Sequence, residues 1–263
     1  LKTSPCPTLQ QVETFAREAG KLLLTRFGQP HVIQFKGDVD LVTEADYLSE
    51  KYLLQAISSA FPAHCIITEE AGSNQLESPD IWYLDPLDGT VNFAHGIACF
   101  SVSIAYTQNG VLELGVVFDP VRDECFTAKR GEGAWLNQVP LRVSLTSEVI
   151  QALLATGFPY EKDDRLLQNL RHHNHFSIHS RGVRRFGSAA LDLCYVACGR
   201  FDGYWELVVN PWDVAAGSLI ASEAGAQVTD VAGNPLEFKM GATILAANPR
   251  LHPLLLQGLQ QEK

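Results

Sequence analysis

Near the start of the chain, apolar residues recur at helical spacing. Val12, Phe15, Ala16, Leu22 and Leu23 form one stripe, which predicts an amphipathic helix over Leu9–Phe27. Gly28 is placed to end it. Residues 31–36 alternate as a half-buried strand does. Thr43 reads as a helix N-cap with Asp46 at the third helical position, a capping-box pattern, and that helix is expected to reach about Ala60, before Pro62. Strand-like runs follow at Ile66–Thr68, Ile81–Leu84, Cys99–Thr107 and Leu112–Phe118, with Asn109-Gly110 as the hairpin turn joining the last two. Cys125–Lys129 and Gly133–Leu136 extend this into an antiparallel meander.

The second half changes character. Ala152–Thr156 reads as a strand, Asp163–His173 as a helix, Ser188–Gly199 as a small-residue helix and Gly203–Leu207 as a strand. Pro211–Ala224 is a further helix, then strands near Gln227–Thr229 and Thr243–Ala246, and a last helix over Pro249–Leu259. Strands that run together and then mix with helices predict an α+β fold of packed layers. With 263 residues, no linker and no repeat, a single domain over 1–263 is expected, with approximate halves 1–145 and 146–263.

Charge narrows the partners. Thirty acids against 20 bases leave a net charge of −10, which repels nucleic acid and anionic membrane. It also repels a phosphorylated substrate unless bound cations reverse the local field. The six cysteines include no C-x-x-C pair, and most sit among apolar neighbours, as reduced core thiols of a cytoplasmic protein do. Cys194 and Cys198 share a face of one predicted helix. No run approaches a membrane span, and no signal peptide is evident. The chain starts at Leu1 rather than Met, so an upstream targeting segment stays open.

The chemistry concentrates where apolar runs end in acids. Trp82-Tyr83-Leu84-Asp85-Pro86-Leu87-Asp88-Gly89-Thr90 places two carboxylates at one corner. Pro86 fixes its own φ and Gly89 allows close backbone approach. Asp, Pro and Gly are also common turn residues, so alone this segment divides evenly between a surface turn and a cation site. Ile66-Ile67-Thr68-Glu69-Glu70 and Asn210-Pro211-Trp212-Asp213 bring further acids to the ends of apolar elements. Carboxylate oxygens suit magnesium or calcium rather than zinc. Two such ions about 3.5–4 Å apart activate a water and stabilise a leaving oxygen.

With these segments in this order, the chain resembles the inositol monophosphatase family of lithium-sensitive, magnesium-dependent phosphatases over nearly its whole length. Asp40-Leu41-Val42-Thr43-Glu44-Ala45-Asp46 is similar to the family's D-L-V-T-x-x-D, and Glu69-Glu70 sits at its G-E-E, with Thr68 in place of the glycine. Trp82–Phe93 resembles the signature W-x-x-D-P-I-D-G-T-x-N-F, with Leu87 for isoleucine, and Trp212–Gly217 resembles W-D-x-A-A-G. The resemblance implies a layered αβαβα sandwich, shared with fructose-1,6-bisphosphatase, and a homodimer. It implies two to three Mg2+ ions held by Glu69, Asp85, the Leu87 carbonyl, Asp88 and Asp213. It casts Thr90, paired with Asp46, and Glu69 as the groups that orient or deprotonate the attacking water. Gly89 and Thr90 would cradle the phosphate. Ser188, Ala189 and Glu206 would line the alcohol pocket, with Asp88 and Asp213 also facing substrate.

Glu206 lies seven residues before Asp213, and a carboxylate there accepts hydrogen bonds from ring hydroxyls. Other polar groups read as structural. Arg184 is taken as a solvated or structural arginine, and the histidines at 172, 173, 175 and 179 as an exposed helix end. Asp163-Asp164 and Asp119–Glu124 read as solvated turns, and Asp192 as structural. The function implied is hydrolysis of inositol monophosphate. Alternatives are fructose-1,6-bisphosphatase, histidinol-phosphate, L-galactose-1-phosphate or nucleotide phosphatase activity, or a regulatory role beside RNA-linked machinery, although the acidic balance makes nucleic acid an unexpected partner.

Overall fold

Thr8 starts the first helix. Its hydroxyl accepts the Gln11 backbone N–H while the Gln11 side chain accepts the Thr8 N–H, so two otherwise orphaned donors are satisfied. This helix, α1 (Leu9–Arg26), buries Val12, Ala16, Ala19 and Leu23. The computed structural model describes residues 6–29, 33–35, 41–159 and 162–261. Asp40 and the flanks of the expected 31–36 strand lie outside the described residues. The other elements of the first half are β1 (Ile33–Phe35), β2 (Leu41–Thr43), α2 (Glu44–Ala60), β3 (Cys65–Thr68), β4 (Gly72–Ser73), β5 (Asp80–Asp88), α3 (Thr90–Ala94), β6 (Ser101–Gln108), β7 (Val111–Asp119), β8 (Glu124–Lys129), β9 (Gly133–Leu136) and β10 (Val139–Pro140). The second half holds β11 (Leu153–Thr156), α4 (Asp164–His179), β12 (Gly182–Arg184), α5 (Ala189–Ala197), β13 (Gly203–Val209), α6 (Pro211–Glu223), β14 (Gln227–Thr229), β15 (Ala242–Ala247) and α7 (His252–Gln261).

Two large sheets organise the molecule. One has eight strands in the order β10-β9-β8-β7-β6-β5-β3-β4, and the other five in the order β12-β11-β13-β15-β14. Three apolar cores mark the layers. Val12, Leu23, Leu53 and Ile57 of α1 and α2 pack with Trp82, Ile104 and Val116 on one face of the larger sheet. Leu191, Leu219 and Ile220 of α5 and α6 fill the space between Val117 and Phe126 of that sheet and Tyr204 and Ile244 of the smaller one. Phe176 of α4 and Leu255 of α7 cover Trp205 and Leu245 on its far side. The fold is therefore the expected α+β sandwich, αβαβα. Gly115 lets β7 approach the backbone of α6 closely, since a Cβ there would stand 2.8 Å from the Ala216 carbonyl oxygen.

The differences from the sequence pattern have physical causes. Helix α4 runs six residues past its predicted end because its buried stripe is Asn169, His172 and Phe176, and two of those are polar. Asn169 stays satisfied inside by donating to the Gly157 carbonyl at 2.5 Å and accepting from the Trp205 indole at 2.7 Å. His172 is thus buried within the helix rather than at an exposed end. Helix α7 starts later than expected because the Asn248 side chain holds the Arg250 and Leu251 N–H groups in a turn. Asp119, read as solvated, is fully buried and accepts the Val121 and Arg122 N–H groups and the Arg122 guanidinium.

Candidate active site

Strand β5 carries Asp85 and Asp88 inside its last turn of pairing rather than after its end. It pairs in parallel with β3 and antiparallel with β6, and its register with β6 slips between Asp85 and Asp88. Pro86 has no N–H for the ladder, so the strand bulges there. The predicted corner is this bulge. The bulge turns the Leu87 carbonyl toward Thr90, whose hydroxyl lies 2.9 Å away, and the Leu87 N–H donates to Asp85 Oδ1 at 3.0 Å. Gly89 follows at φ 91°. A Cβ there would stand 2.9 Å from the Cys99 carbonyl oxygen, so only glycine fits both the dihedral and the space.

One face of α2 holds this region in place. Asp46, the N3 residue of the predicted capping box, accepts the Thr43 N–H at 2.8 Å and the Thr43 hydroxyl at 2.7 Å through Oδ2. Its Oδ1 accepts the Thr90 hydroxyl at 3.0 Å. Three residues on, Ser49 donates to the Pro86 carbonyl at 2.8 Å. Next to it, buried Glu50 accepts the Thr68 hydroxyl and the Ala71 N–H, both at 2.9 Å. Thr68 therefore puts its hydroxyl to use where the family pattern has glycine. Sequence reading missed Ser49 and Glu50, although positions 46, 49 and 50 lie on one helical face.

The acids gather round one pocket. Glu69, Asp85, Leu87, Asp88, Gly89, Thr90 and Asp213 line it together with Ser188, Ala189 and Glu206. Asp88 Oδ2 accepts the Ser188 hydroxyl, the Ala190 N–H at 3.0 Å and the Ser101 hydroxyl at 3.3 Å. Ser188 is thus engaged by Asp88 and by capping α5. Asp213 is the N3 residue of α6, and its Oδ2 accepts the Asn210 N–H at 2.6 Å. Burial first, then the charges of Glu69, Asp88 and Asp213, push the Asp85 carboxyl well above the usual carboxylate range. Burial and then Glu69 do the same to Asp213. Burial raises Asp88 to about 6 against the opposing hydrogen bonds from Ser188 and Ala190.

Like charges crowded and desolvated in this way require a proton or a cation. The donors are all oxygens, which fits a hard divalent ion. Among the described residues no three acidic, histidine or cysteine side chains form a compact metal cluster, so the acids share the pocket without closing around a single point.

The opposite wall comes from the second half. Glu206 on β13 accepts the Tyr204 hydroxyl at 2.5 Å, and burial raises its carboxyl to about 7. Gly157 lies against it, since a Cβ there would stand 2.0 Å from Glu206 Oε2. Asn92, from the first signature, ties the halves together by donating to the Cys99 carbonyl at 2.8 Å and the Phe186 carbonyl at 2.7 Å. Arg184 is exposed and donates to the Val183 carbonyl, while its neighbour Arg185 lines the pocket. Asp192, read as structural, also lines it. Only the packing of α5 decides which of its faces meets the pocket, so the sequence carried no signal for it.

Comparison with known proteins decides the family. The inositol monophosphatase family model matches residues 7–263.

The chain belongs to the inositol monophosphatase family.

It is 42% identical over 257 residues to the protein named Nus factor SuhB of Pasteurella multocida, covering 97% of this chain and 96% of that one. It is 44% identical over 243 residues to the inositol-1-monophosphatase of Synechocystis sp., covering 92% and 84%. The crystal structure of extragenic suppressor protein suhB from Bartonella henselae superimposes with a TM-score of 0.91 at 37% identity, covering 96% of this chain and 98% of that one. As in the family, the fold is the layered α+β sandwich. No described helix is long and apolar enough to cross a membrane.

Proposed function

We propose that this pocket hydrolyses inositol monophosphate to myo-inositol and phosphate in the presence of Mg2+. The observation that carries the reading is the meeting of Glu69, Asp85, Asp88 and Asp213 with the Asp46–Thr90 pair at one end of a pocket whose other wall holds Glu206. Glu69, Asp85, the Leu87 carbonyl, Asp88 and Asp213 would hold two to three ions. Bound magnesium supplies positive charge for the phosphoryl oxygens and acidifies water. Thr90, oriented by Asp46, accepts a hydrogen bond from the attacking water, and Glu69 takes its proton. In-line attack then forms the new P–O bond as the bond to the alcohol oxygen breaks, and that oxygen leaves by taking a proton from solvent water, with no phosphoenzyme. The Gly89–Thr90 backbone holds the phosphate, and Glu206 and Ala189 border the alcohol. The working unit is the whole of 1–263, because Asp85 and Asp213 come from different halves.

A panel of phosphate esters with magnesium tests this. Inositol 1-phosphate should be turned over faster than fructose 1,6-bisphosphate, histidinol phosphate, L-galactose 1-phosphate or a nucleotide phosphate. Faster turnover of any rival overturns the substrate assignment and keeps the metal site. A second reading is favoured by the name Nus factor carried by several relatives. RNA binding that weakens with salt, in a protein without phosphatase activity, would establish that reading instead.

A further inference from the structure

We propose that Asp192 forms, with Glu206, a two-carboxylate subsite that binds neighbouring hydroxyls of a polyol, so that Asp192 sets the preference for the alcohol half of the substrate. The inference rests on the reading that this pocket hydrolyses a polyol phosphate.

Asp192 sits in α5 at 1% exposure and lines the same pocket as Glu206. Its Oδ1 has no hydrogen-bond partner among the described residues. Folded proteins rarely leave a buried carboxyl oxygen without a donor. The helix start does not use it. Ser188 caps the Leu191 N–H, and Asp88 takes the Ala190 N–H. Across the pocket, Tyr204 occupies Glu206 Oε2, and Gly157 leaves room for that carboxyl.

Arg185 is the one cation among the described lining residues, and its charge acts on both acids. Burial, then Glu206 and Asp88, hold the Asp192 carboxyl well above the usual range. A hydroxyl both donates and accepts, so it satisfies a carboxyl in either protonation state. An ammonium group satisfies only the charged one. The pair therefore suits neutral polyol hydroxyls over a cationic alcohol.

The test is steady-state hydrolysis of inositol 1-phosphate and 4-nitrophenyl phosphate, with magnesium, by wild type, Asp192→Asn and Asp192→Leu, together with thermal unfolding. In both variants kcat/KM for the inositol ester is expected to fall about tenfold or more beyond any fall for the aryl ester, mainly through KM. Melting temperatures at or above that of wild type are expected, because an unpartnered buried carboxyl has been removed. Equal losses on the two esters, with a lowered melting temperature, would assign Asp192 to the fold and overturn the proposal. So would a wild type that prefers an amino-alcohol phosphate and loses that preference in the variants. A wild type active on both esters whose selectivity ignores Asp192 defeats this inference alone. One that hydrolyses neither defeats the function proposed above as well.

Discussion

The two ends of the pocket are built differently. The proposed phosphate end is centred on one continuous stretch, Asp85 to Thr90, whose bulge is clamped by Asp46 and Ser49 of α2, with Glu69 and Asp213 joining it from other segments. The alcohol end is assembled from Gly157, Arg185, Asp192 and Glu206, which sit on separate segments of the second half. The centre of the first end is a local device, in which proline, glycine and carboxylate spacing already dictate the geometry. The second exists only once the smaller sheet and α5 have packed together. A fold arranged this way can keep one chemistry while its alcohol specificity changes, since substitutions at the second end leave the bulge untouched.

The largest test of that contrast is Asp88→Asn. Replacing a carboxylate that serves the phosphate end should lower kcat on every phosphate ester by about 10³-fold or more, with a folded, wild-type-like circular dichroism spectrum. Activity near wild type would remove the metal-site account. Glu206→Ala should act selectively, reducing kcat/KM for inositol 1-phosphate by about 10–100-fold beyond its effect on an aryl phosphate. Parallel losses on both would show that the two ends are not separable.

The two ends also share an electrostatic cost that pH reveals. Burial raises Asp88 from 3.8 to about 6 and Glu206 from 4.5 to about 7. The folded protein thus holds these protons to higher pH than the unfolded chain does. The associated stability is fully present below the unfolded values and is lost as the pH rises through about 6 to 7. In chelator, the melting temperature should fall between about pH 4 and 7, and saturating magnesium should flatten that fall. A metal-free protein that gains stability over this interval would contradict the assignment of these acids as buried and uncompensated.

Smaller effects sharpen the roles of supporting residues. Gly157→Ala forces a methyl group into the space of the Glu206 carboxyl. KM for inositol 1-phosphate should rise several-fold, and an unchanged KM would mean that Glu206 does not contact substrate. Thr68→Gly removes the hydroxyl that Glu50 accepts at 2.9 Å. A stability loss of about 1–2 kcal/mol by urea titration is expected, with little change in substrate preference.

What the sequence made legible follows the same division. Glu69, Asp85, Asp88 and Asp213 stand where apolar runs meet acids, and Thr43-Asp46 is a capping box, so local rules marked them as candidates and the family resemblance gave them roles. Ser49, Glu50, Asp192 and Gly157 were not legible as site residues, because their roles depend on which face of a helix or loop meets another element. The same applies to α4, whose inward stripe is partly polar and stays buried only because Trp205 and Gly157 satisfy Asn169. Asp119 shows the converse. A run of charges resembled a solvated turn, yet one member is buried by three hydrogen bonds from its own turn.

Under the proposed function, acids of the phosphate end hold the magnesium needed to release phosphate from inositol 1-phosphate. Phosphate release by chelator-treated protein, measured before and after magnesium is restored, tests it most directly. No turnover is expected in chelator, with full recovery once magnesium is restored. Turnover that persists in chelator, or that magnesium fails to restore in folded protein, would contradict it.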